Sequence, residues 1–155
     1  MTKISSKHVF FYKKVFPVLW FGFLAVFVGV AIIAGAFSKA PLVLLGPGVM
    51  VVFGFFLMKY LVWDLVDEVY DGGDFLLVKN RGEEERVLLS NIMNVSATTN
   101  MNPPRATLRL VQPGKFGEEI SFSPARPFTL NPFKKNPVVE DLIVRVDQAR
   151  SKRGV

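Results

Sequence analysis

Two long apolar runs dominate the first sixty residues of the chain. They extend over Phe16–Phe37 and Pro41–Trp63, and only three residues separate them. Neither run contains an acid, and the one base inside them is Lys59. An apolar helix of about 20 residues is long enough to cross the hydrocarbon core of a bilayer. The pattern therefore predicts a transmembrane helical hairpin, with helices over 16–37 and 41–63.

A cleaved signal peptide is the alternative interpretation of the first run. Lysines precede it, and Ala34-Gly35-Ala36 has the small residues of a cleavage site. The apolar core of a signal peptide is typically about 7–15 residues long, however, and this run exceeds that length. A second run also follows at once, so we favour the hairpin. A mature protein beginning at Phe37 or Ser38 would contradict this choice.

Small residues recur along one side of each predicted helix. Such residues let helix backbones approach closely in lipid, where no hydrophobic effect drives helices together. We expect this packing either within the hairpin or between protomers of a homo-oligomer. Pro47 removes a helix hydrogen bond and predicts a kink in the second helix. The candidate packing residues are Gly22, Ala25, Gly29 and Gly54.

From Asp64 onwards the pattern changes to short alternating segments separated by turns. Asp71-Gly72-Gly73-Asp74 and Asn80-Arg81-Gly82 have the residues that tight hairpins need for positive φ. Regular short strands of this kind predict an antiparallel sandwich or barrel. The predicted strands are Leu65–Tyr70, Phe75–Lys79, Glu84–Leu89, Ile92–Thr98, Ala106–Val111 and Gly117–Phe122.

The chain then predicts an irregular segment and a final helix. Ser123–Lys135 contains three prolines and either caps an open end of the sheet or supplies a last short strand. Asn136-Pro137 is typical of a helix N-terminus, and apolar residues at helical spacing predict a helix over 137–150. The fold class is thus membrane α+β, a transmembrane hairpin followed by a small antiparallel β-domain with one C-terminal helix.

The net charge of +6 lies entirely in the first part of the chain. Residues 1–63 contain six bases and no acids, whereas residues 64–155 contain thirteen of each. Four of the bases precede the first run and one, Lys39, lies between the runs. Basic segments beside membrane spans stay in the cytoplasm, so we expect both termini and the β-domain there. The distribution argues against a nucleic-acid partner. The predicted divisions are a basic juxtamembrane segment at 1–15, the hairpin at 16–63 and the β-domain at 64–155.

Candidate catalytic groups are few. The chain has no cysteine, and its single histidine, His8, lies in the basic leader without an obvious acid partner. Glu83-Glu84-Glu85 could hold a metal or perform acid–base chemistry, but in a hairpin turn we expect a solvated charge run that protects a sheet edge. We interpret Asp71 and Asp74 as turn formers. No catalytic, cofactor or metal site is predicted, and a membrane enzyme is the least favoured class.

Two basic groups flank the final helix and a third precedes the first span. Near an anionic surface each base contributes about 1 kcal/mol of binding, so these groups are candidate contacts for lipid headgroups. Charge complementation at the helix C-terminus, together with solubility, is the explanation that we favour over lipid contact. The candidate lipid contacts are Lys13, Lys14, Lys134, Lys135, Arg150, Lys152 and Arg153.

The order of these segments resembles the pleckstrin-homology-like (PH-like) fold, in particular bacterial membrane-attached PH-like domains that follow paired transmembrane helices. The likeness depends on the hairpin Val69–Val78, the step Val87–Val95 and the strand Ala106–Leu110. The PH fold has seven strands and six are predicted here, so Ala125–Leu130 would have to supply the seventh.

The resemblance implies a non-enzymatic scaffold or interaction module at the bacterial inner membrane, with a protein partner. A lipid or envelope sensor is the alternative. The first hairpin loop, Asp71–Asp74, is acidic where eukaryotic PH domains use a basic loop for phosphoinositides. Phosphoinositide binding is therefore not expected.

Overall fold

The computed structural model describes residues 1–98, 103–125 and 135–153, apart from the side chains of Phe37, Lys39, Pro41 and Arg153. The chain divides into two compact units. One unit is the helical hairpin, Phe10–Asp64. The other is the β-domain, which combines Met1–Val9 with Leu65–Val155.

The hairpin contains the two long apolar helices that the sequence predicts. A π-helical turn over Phe11–Val15 leads into α1, Phe16–Ile33. A short helix α2, Ala36–Lys39, and a 3-10 turn, Pro41–Leu44, then lead into α3, Leu45–Leu61. Both apolar helices are long enough to cross a bilayer, and only 11 % and 17 % of their most apolar stretches is buried. A core helix of a soluble protein would bury far more of its surface.

The ends of the helices differ from the predicted spans. α1 stops at Ile33 because Gly35 takes a left-handed conformation, with φ of +66°. Glycine adopts this conformation without steric cost and commonly ends helices. Pro47 lies at the third position of α3, directly after the 3-10 turn. The first turn of a helix has no partners for its amide groups, so the predicted interior kink is replaced by a helix start.

The β-domain consists of two antiparallel sheets and a helix. The first sheet has the strand order β1-β2-β3-β4 and the second has the order β5-β6-β7. This layout agrees with the predicted antiparallel domain and C-terminal helix. The elements are β1 Thr2–Lys3, β2 Glu68–Asp71, β3 Phe75–Asn80, β4 Glu83–Leu88, a 3-10 turn Leu89–Asn91, β5 Ile92–Thr98, β6 Arg105–Gly114, β7 Gly117–Phe122 and α4 Pro137–Arg153.

An N-terminal strap, residues Thr2–Ser6, joins the two sheets. On one side Ile4 donates its N–H to the Val69 carbonyl at 2.9 Å. On the other side Ser6 donates to the Ser123 carbonyl at 2.8 Å, and the Ile4 carbonyl accepts from Ala125 at 2.7 Å. The strap therefore lies between β2 and the end of β7, in the same unit as both.

This arrangement changes the predicted organisation at two points. The segment predicted as a single juxtamembrane leader, 1–15, divides after Val9, because the strap finds its hydrogen-bond partners in the β-domain. The strand added to the six predicted ones is β1, and it comes from the N-terminus. Of the segment Ala125–Leu130 proposed for that strand, Ala125 bonds to the strap, and residues 126–130 lie outside the described residues.

The core lies between the two sheets and α4. The predicted alternation of β6 is confirmed, since Ala106, Leu108 and Leu110 are buried and Val111 is exposed. Strands with one buried face alternate in this way because successive side chains point to opposite faces. Burial of Leu142 at the centre of α4 closes the core from one side.

The predicted start of the C-terminal helix is confirmed. The Asn136 side chain accepts a hydrogen bond from the N–H of Val138 at 3.0 Å, which is the geometry of a helix cap. Its amide group also donates to the Ala125 carbonyl at 2.9 Å. One side chain thus fixes both the beginning of α4 and its attachment to the sheet beside the strap.

Candidate functional site

A groove of about 340 Å³ opens beside α4 in the β-domain. We call it the α4 groove. Its walls are the β2–β3 turn, the 3-10 turn after β4 and one side of α4, and its polar groups include Asp74, Ser90, Arg145 and Lys152. Leu88 adds an exposed apolar side chain at its rim. The groove therefore presents both charges and an apolar contact to solvent.

Arg145 fixes one wall of this groove. Its Nη1 donates to Asp71 Oδ1 at 3.0 Å, and its Nη2 donates to Asp71 Oδ2. Its Nε lies 2.9 Å from Asp141 Oδ2, one helical turn earlier on α4, although the angle there is not that of a hydrogen bond. A planar guanidinium suits such bidentate pairing. The pair ties α4 to the β2–β3 turn and uses the charge that Arg145 would otherwise offer to a ligand.

Two sets of hydrogen bonds shift pKa values in the β-domain. One joins Arg145 to Asp71, and the other joins Lys3 and Tyr70 to Glu68. Hydrogen bonding by Arg145 lowers the pKa of Asp71, and the same bond raises the pKa of Arg145. Hydrogen bonds from Lys3 and Tyr70 lower the pKa of Glu68. In each case the ionised form is the one that the partner stabilises. Both acids are therefore structural anions.

The first group of candidate lipid contacts lies at the entrance to α1. Lys13 and Lys14 are both part of the π-helical turn. Lys14 is exposed, and its Nζ lies 5.5 Å from the centre of the Phe10 ring. This combination of base and aromatic ring suits the headgroup region of a bilayer.

The bases around α4 are not gathered into one site. Lys135 Nζ lies 3.6 Å from Glu140, and Arg150 donates to the Met93 carbonyl at 2.9 Å. Lys135 precedes the start of α4 at Pro137, and Arg150 lies thirteen positions after that start, which is about 20 Å along the helix. Lys152 lines the α4 groove. Lys134 and the side chain of Arg153 lie outside the described residues.

Of the candidate packing residues of the hairpin, Gly54 lies at a close contact between the helices, whereas Gly22, Ala25 and Gly29 do not. A Cβ at Gly54 would lie 2.6 Å from Nε1 of Trp20, so Gly54 is where α3 approaches α1. A Cβ at Gly22 or Gly29 would meet no described atom within 4 Å apart from its own stretch of helix, and Ala25 is exposed. At Gly54 the close approach therefore pairs a glycine with a large aromatic side chain, and a side chain added at Gly22 or Gly29 would have room.

The acidic run of β4 serves as a set of structural anions. Both carboxylate oxygens of Glu85 accept backbone hydrogen bonds from the β6–β7 turn, from Lys115 at 2.9 Å and from Phe116 at 3.2 Å. Glu83 lies 3.5 Å from the Lys115 side chain, and Glu84 pairs with Lys79. Glu83 and Glu85 thus both engage Lys115, through its side chain and its backbone respectively, whereas Glu84 engages Lys79. Successive side chains of a strand point to opposite faces, so Glu84 does not share a face with the other two carboxylates.

The other candidate groups are also placed by local structure. Asp71 accepts from the Gly73 N–H at 2.9 Å, and Gly73 has φ of +94°, as the predicted turn requires. His8 is exposed, and its N–H donates to the hydroxyl of Ser6. Among the described residues, no group of three or more His, Cys, Asp and Glu side chains is arranged to hold a metal.

Sequence reasoning missed the most deeply buried polar group of the strap. Ser5 is 2 % exposed, and its hydroxyl accepts a hydrogen bond from the Val69 N–H at 3.0 Å. Neither residue is marked by a motif. The short apolar-polar sequence around Ile4 was the only available signal, and two strand residues are too few to show a period.

Comparison of the chain with protein-family models, curated proteins and solved structures finds no match in any of the three. The function must therefore be argued from the chain itself.

Proposed function

We propose that this chain is a non-enzymatic integral membrane protein that presents a PH-like β-domain as a scaffold or interaction module. The observation that carries the proposal is the insertion of the apolar hairpin between β1 and β2 of one domain. The domain is thereby bonded covalently to the hairpin at two places, after Val9 and before Leu65. A doubly attached domain suits a module that is held at a membrane surface.

The PH-like assignment is supported by the layout of the domain. Sheets of four and three antiparallel strands and a C-terminal helix match that fold in strand number, although the seventh strand is β1 and not the predicted Ala125–Leu130. The acidic turn Asp71–Asp74 is engaged by Arg145, which argues for a domain whose ligand is not a phosphoinositide.

Membrane insertion is supported by the surface of the hairpin. Large apolar side chains on both helices are strongly exposed, with Ile33 at 88 %, Val18 at 72 % and Phe53 at 64 %. Apolar surface of this extent is typical of lipid-facing helices. Since β1 pairs with β2, both ends of the hairpin lie on the same side, and an even number of crossings satisfies this condition. The excess of lysines before α1 favours the cytoplasmic side of a bacterial inner membrane.

The non-enzymatic part of the proposal is supported by the contacts of Glu83, Glu84 and Glu85. These residues are the best acid–base candidates in the sequence, and each is engaged by a structural partner, Lys115 for Glu83 and Glu85 and Lys79 for Glu84. Replacing all three by glutamine removes their ionisation, so an enzyme that used them would lose its activity while a scaffold would keep its partner.

The proposal is tested by site-specific photocrosslinking of the full chain in its native membranes. A photoreactive residue at Leu88, on the rim of the α4 groove, is compared with one at Val144, which is similarly exposed. A discrete protein adduct at Leu88 and none at Val144 supports an interaction surface at the groove. Equal, diffuse labelling at both positions contradicts it.

Contact with anionic headgroups is the second candidate function. It is favoured by the position of Lys13 and Lys14 in the turn that leads into α1, where Lys14 is exposed beside the Phe10 ring. Glutamine at both positions 13 and 14 is expected to weaken enrichment of anionic lipid around the reconstituted protein at low salt. Unchanged enrichment removes this candidate.

A further inference from the structure

An aromatic ring in the first sheet is held between a glycine and an arginine. Phe75 begins β3 and pairs with Leu88 on β4. Its ring lies beside the backbone of Gly72, where an added Cβ would be 2.7 Å from Cε1 of the ring. From β4, the guanidinium carbon of Arg86 lies 3.8 Å from the centre of the same ring. This distance is typical of a guanidinium that stacks on an aromatic side chain. We call Phe75, Arg86 and Leu88 the β4 anchor.

The three side chains of the β4 anchor share the outer face of the sheet. Their neighbours along the two strands, Leu76 and Val87, are buried in the core. Successive side chains of a strand point to opposite faces, so the anchor points away from the core. Leu88 is 56 % exposed, and Arg86 is exposed as well. The anchor is therefore accessible from solvent.

Arg86 has a charge that no described acid neutralises. The nearest acid on the same face of β4, Glu84, pairs with Lys79. Arg86 contacts the Phe75 ring and has no acidic partner among the residues that the structure describes. A guanidinium that lies over a ring keeps its N–H groups at the edge, in the fork that matches the two oxygens of a carboxylate. The β4 anchor is thus complementary in charge to a carboxylate.

The β4 anchor continues into the α4 groove, because Leu88 belongs to both. Inside the groove, Asp71 takes up the charge of Arg145, and Asp74 and Lys152 contribute one charge of each sign. The groove therefore has no surplus of positive charge that would attract a polyanionic surface such as an acidic membrane. The surplus base lies at the rim, in the anchor, and it suits a single carboxylate.

We propose that the β4 anchor binds an extended segment of a partner protein in which an acidic residue lies two positions from a large apolar residue. The acid binds Arg86, and the apolar side chain contacts Leu88 at the entrance to the α4 groove. This inference rests on the proposed function, since it names the chemistry of the partner at the surface where that proposal places it.

The spacing of the anchor carries this assignment. Arg86 and Leu88 are two positions apart on β4, which is about 7 Å. Side chains two positions apart in an extended segment point the same way at the same spacing. Arginine and aromatic side chains are also common in binding hot spots, and a guanidinium that stacking already holds in place loses less freedom on binding.

The first test uses the full chain in nanodiscs of neutral lipid, together with a displayed library of randomised peptides. We expect the enriched peptides to share an acidic and an apolar residue two positions apart. Synthetic copies should bind at least about tenfold more weakly to Arg86→Gln, because a charged bidentate hydrogen bond is lost, and more weakly to Leu88→Ser. Arg109→Gln is the control, since Arg109 is an exposed base on β6, and it should bind with wild-type affinity.

The second test exchanges the charges, which separates direct contact from an effect on the fold. Arg86→Glu should reject the enriched peptides and bind versions in which lysine replaces the acid. Loss of binding in Arg86→Gln without this recovery would give Arg86 a structural role and overturn the inference.

The inference is also overturned if no peptide is enriched, if the enriched peptides lack the acid, or if Arg86→Gln binds them as tightly as the wild type. The same holds if Arg86→Gln instead lowers the enrichment of anionic lipid around the reconstituted protein, which would assign Arg86 to headgroups. Photocrosslinking from Leu88 in native membranes separates these results from failure of the proposed function. A discrete adduct that Arg86→Gln leaves unchanged overturns the acidic segment alone, whereas the absence of any adduct contradicts both proposals.

Discussion

Arg145 and Asp71 join the C-terminal helix to the first hairpin turn of the sheet, through two parallel hydrogen bonds between one guanidinium and one carboxylate. Asp71 is also the residue that pairs with Thr2 of the strap. Asp71 therefore lies where α4, the β2–β3 turn and the strap meet. Its replacement should destabilise all three.

Substitution of Arg145 by lysine should lower the stability of the β-domain by about 1–2 kcal/mol. Lysine keeps the charge but cannot donate two parallel hydrogen bonds to Asp71. Thermal unfolding of the full chain in detergent, followed by circular dichroism, measures the change. Arg109→Lys is the control, because Arg109 is exposed on β6. Equal melting temperatures for the two variants would contradict the assignment.

Acid should destabilise the β-domain through Asp71 and Glu68. The folded pKa of each is lowered, so their contribution is fully present above the unfolded pKa of about 4 and is lost as the pH falls through the lower folded value. Melting temperatures measured between pH 6 and pH 2 should fall most steeply in this acidic range, and Asp71→Asn should flatten the slope. A slope that Asp71→Asn leaves unchanged would show that other carboxylates control acid unfolding.

Glycine at position 81 should stabilise the domain by about 0.5–1 kcal/mol. Arg81 has φ of +53° and Gly82 has φ of +85°, which is the pattern of a type I′ turn, and an arginine there bears a steric cost that glycine avoids. The Arg81 N–H bond to Asp67 uses the backbone and survives the change. Gly82→Ala, in the same turn, should destabilise instead, and thermal unfolding compares the two.

Gly114 and Glu85 should be strongly coupled. A Cβ at Gly114 would lie 2.1 Å from Glu85 Oε1, so Gly114→Ala must displace the carboxylate that holds the β6–β7 turn, at a cost of about 1–3 kcal/mol. In a double-mutant cycle, Gly114→Ala should cost much less in a Glu85→Ala background. Glu84→Ala, whose partner is Lys79, provides the additive control.

A soluble β-domain should require the strap. A chain of residues 65–155 alone leaves Val69, Ser123 and Ala125 without the backbone partners that the strap supplies. Fusion of Met1–Val9 to Leu65 through a flexible linker should raise stability by at least about 2 kcal/mol, since each of these bonds contributes about 0.5–1.5 kcal/mol. A fusion with the same nine residues in scrambled order is the control, and urea unfolding measures all three proteins. Equal stabilities would place the strap outside the cooperative unit.

Much of this architecture was accessible from sequence because its signals are local. The apolar runs, the Asn136 cap and the alternation of Ala106, Leu108 and Leu110 each depend on residues that are neighbours in the chain. The strap is different. Thr2 pairs with Asp71, sixty-nine positions later, and two residues carry no measurable period.

The difference between local signals and contacts between distant residues also explains which features of the candidate sites the sequence predicted. Small residues mark which helix faces can approach closely, but the actual contact of Gly54 depends on where a large side chain, Trp20, projects from the other helix. Likewise, the acids of β4 are visible in the sequence, whereas the Lys115 and Phe116 amides that engage Glu85 are placed by the sheet. The sequence patterns carry no information about which residues of distant segments come into contact.

The insertion of the hairpin between β1 and β2 also sets an order of events during synthesis. The strap leaves the ribosome first, yet Glu68–Asp71 emerges only after both apolar helices have been made. The first sheet therefore closes late, over a long sequence separation. A chain whose hairpin crossed the bilayer only once would have β1 and β2 on opposite sides and could never pair them. Pairing of β1 with β2 is therefore compatible only with an even number of crossings.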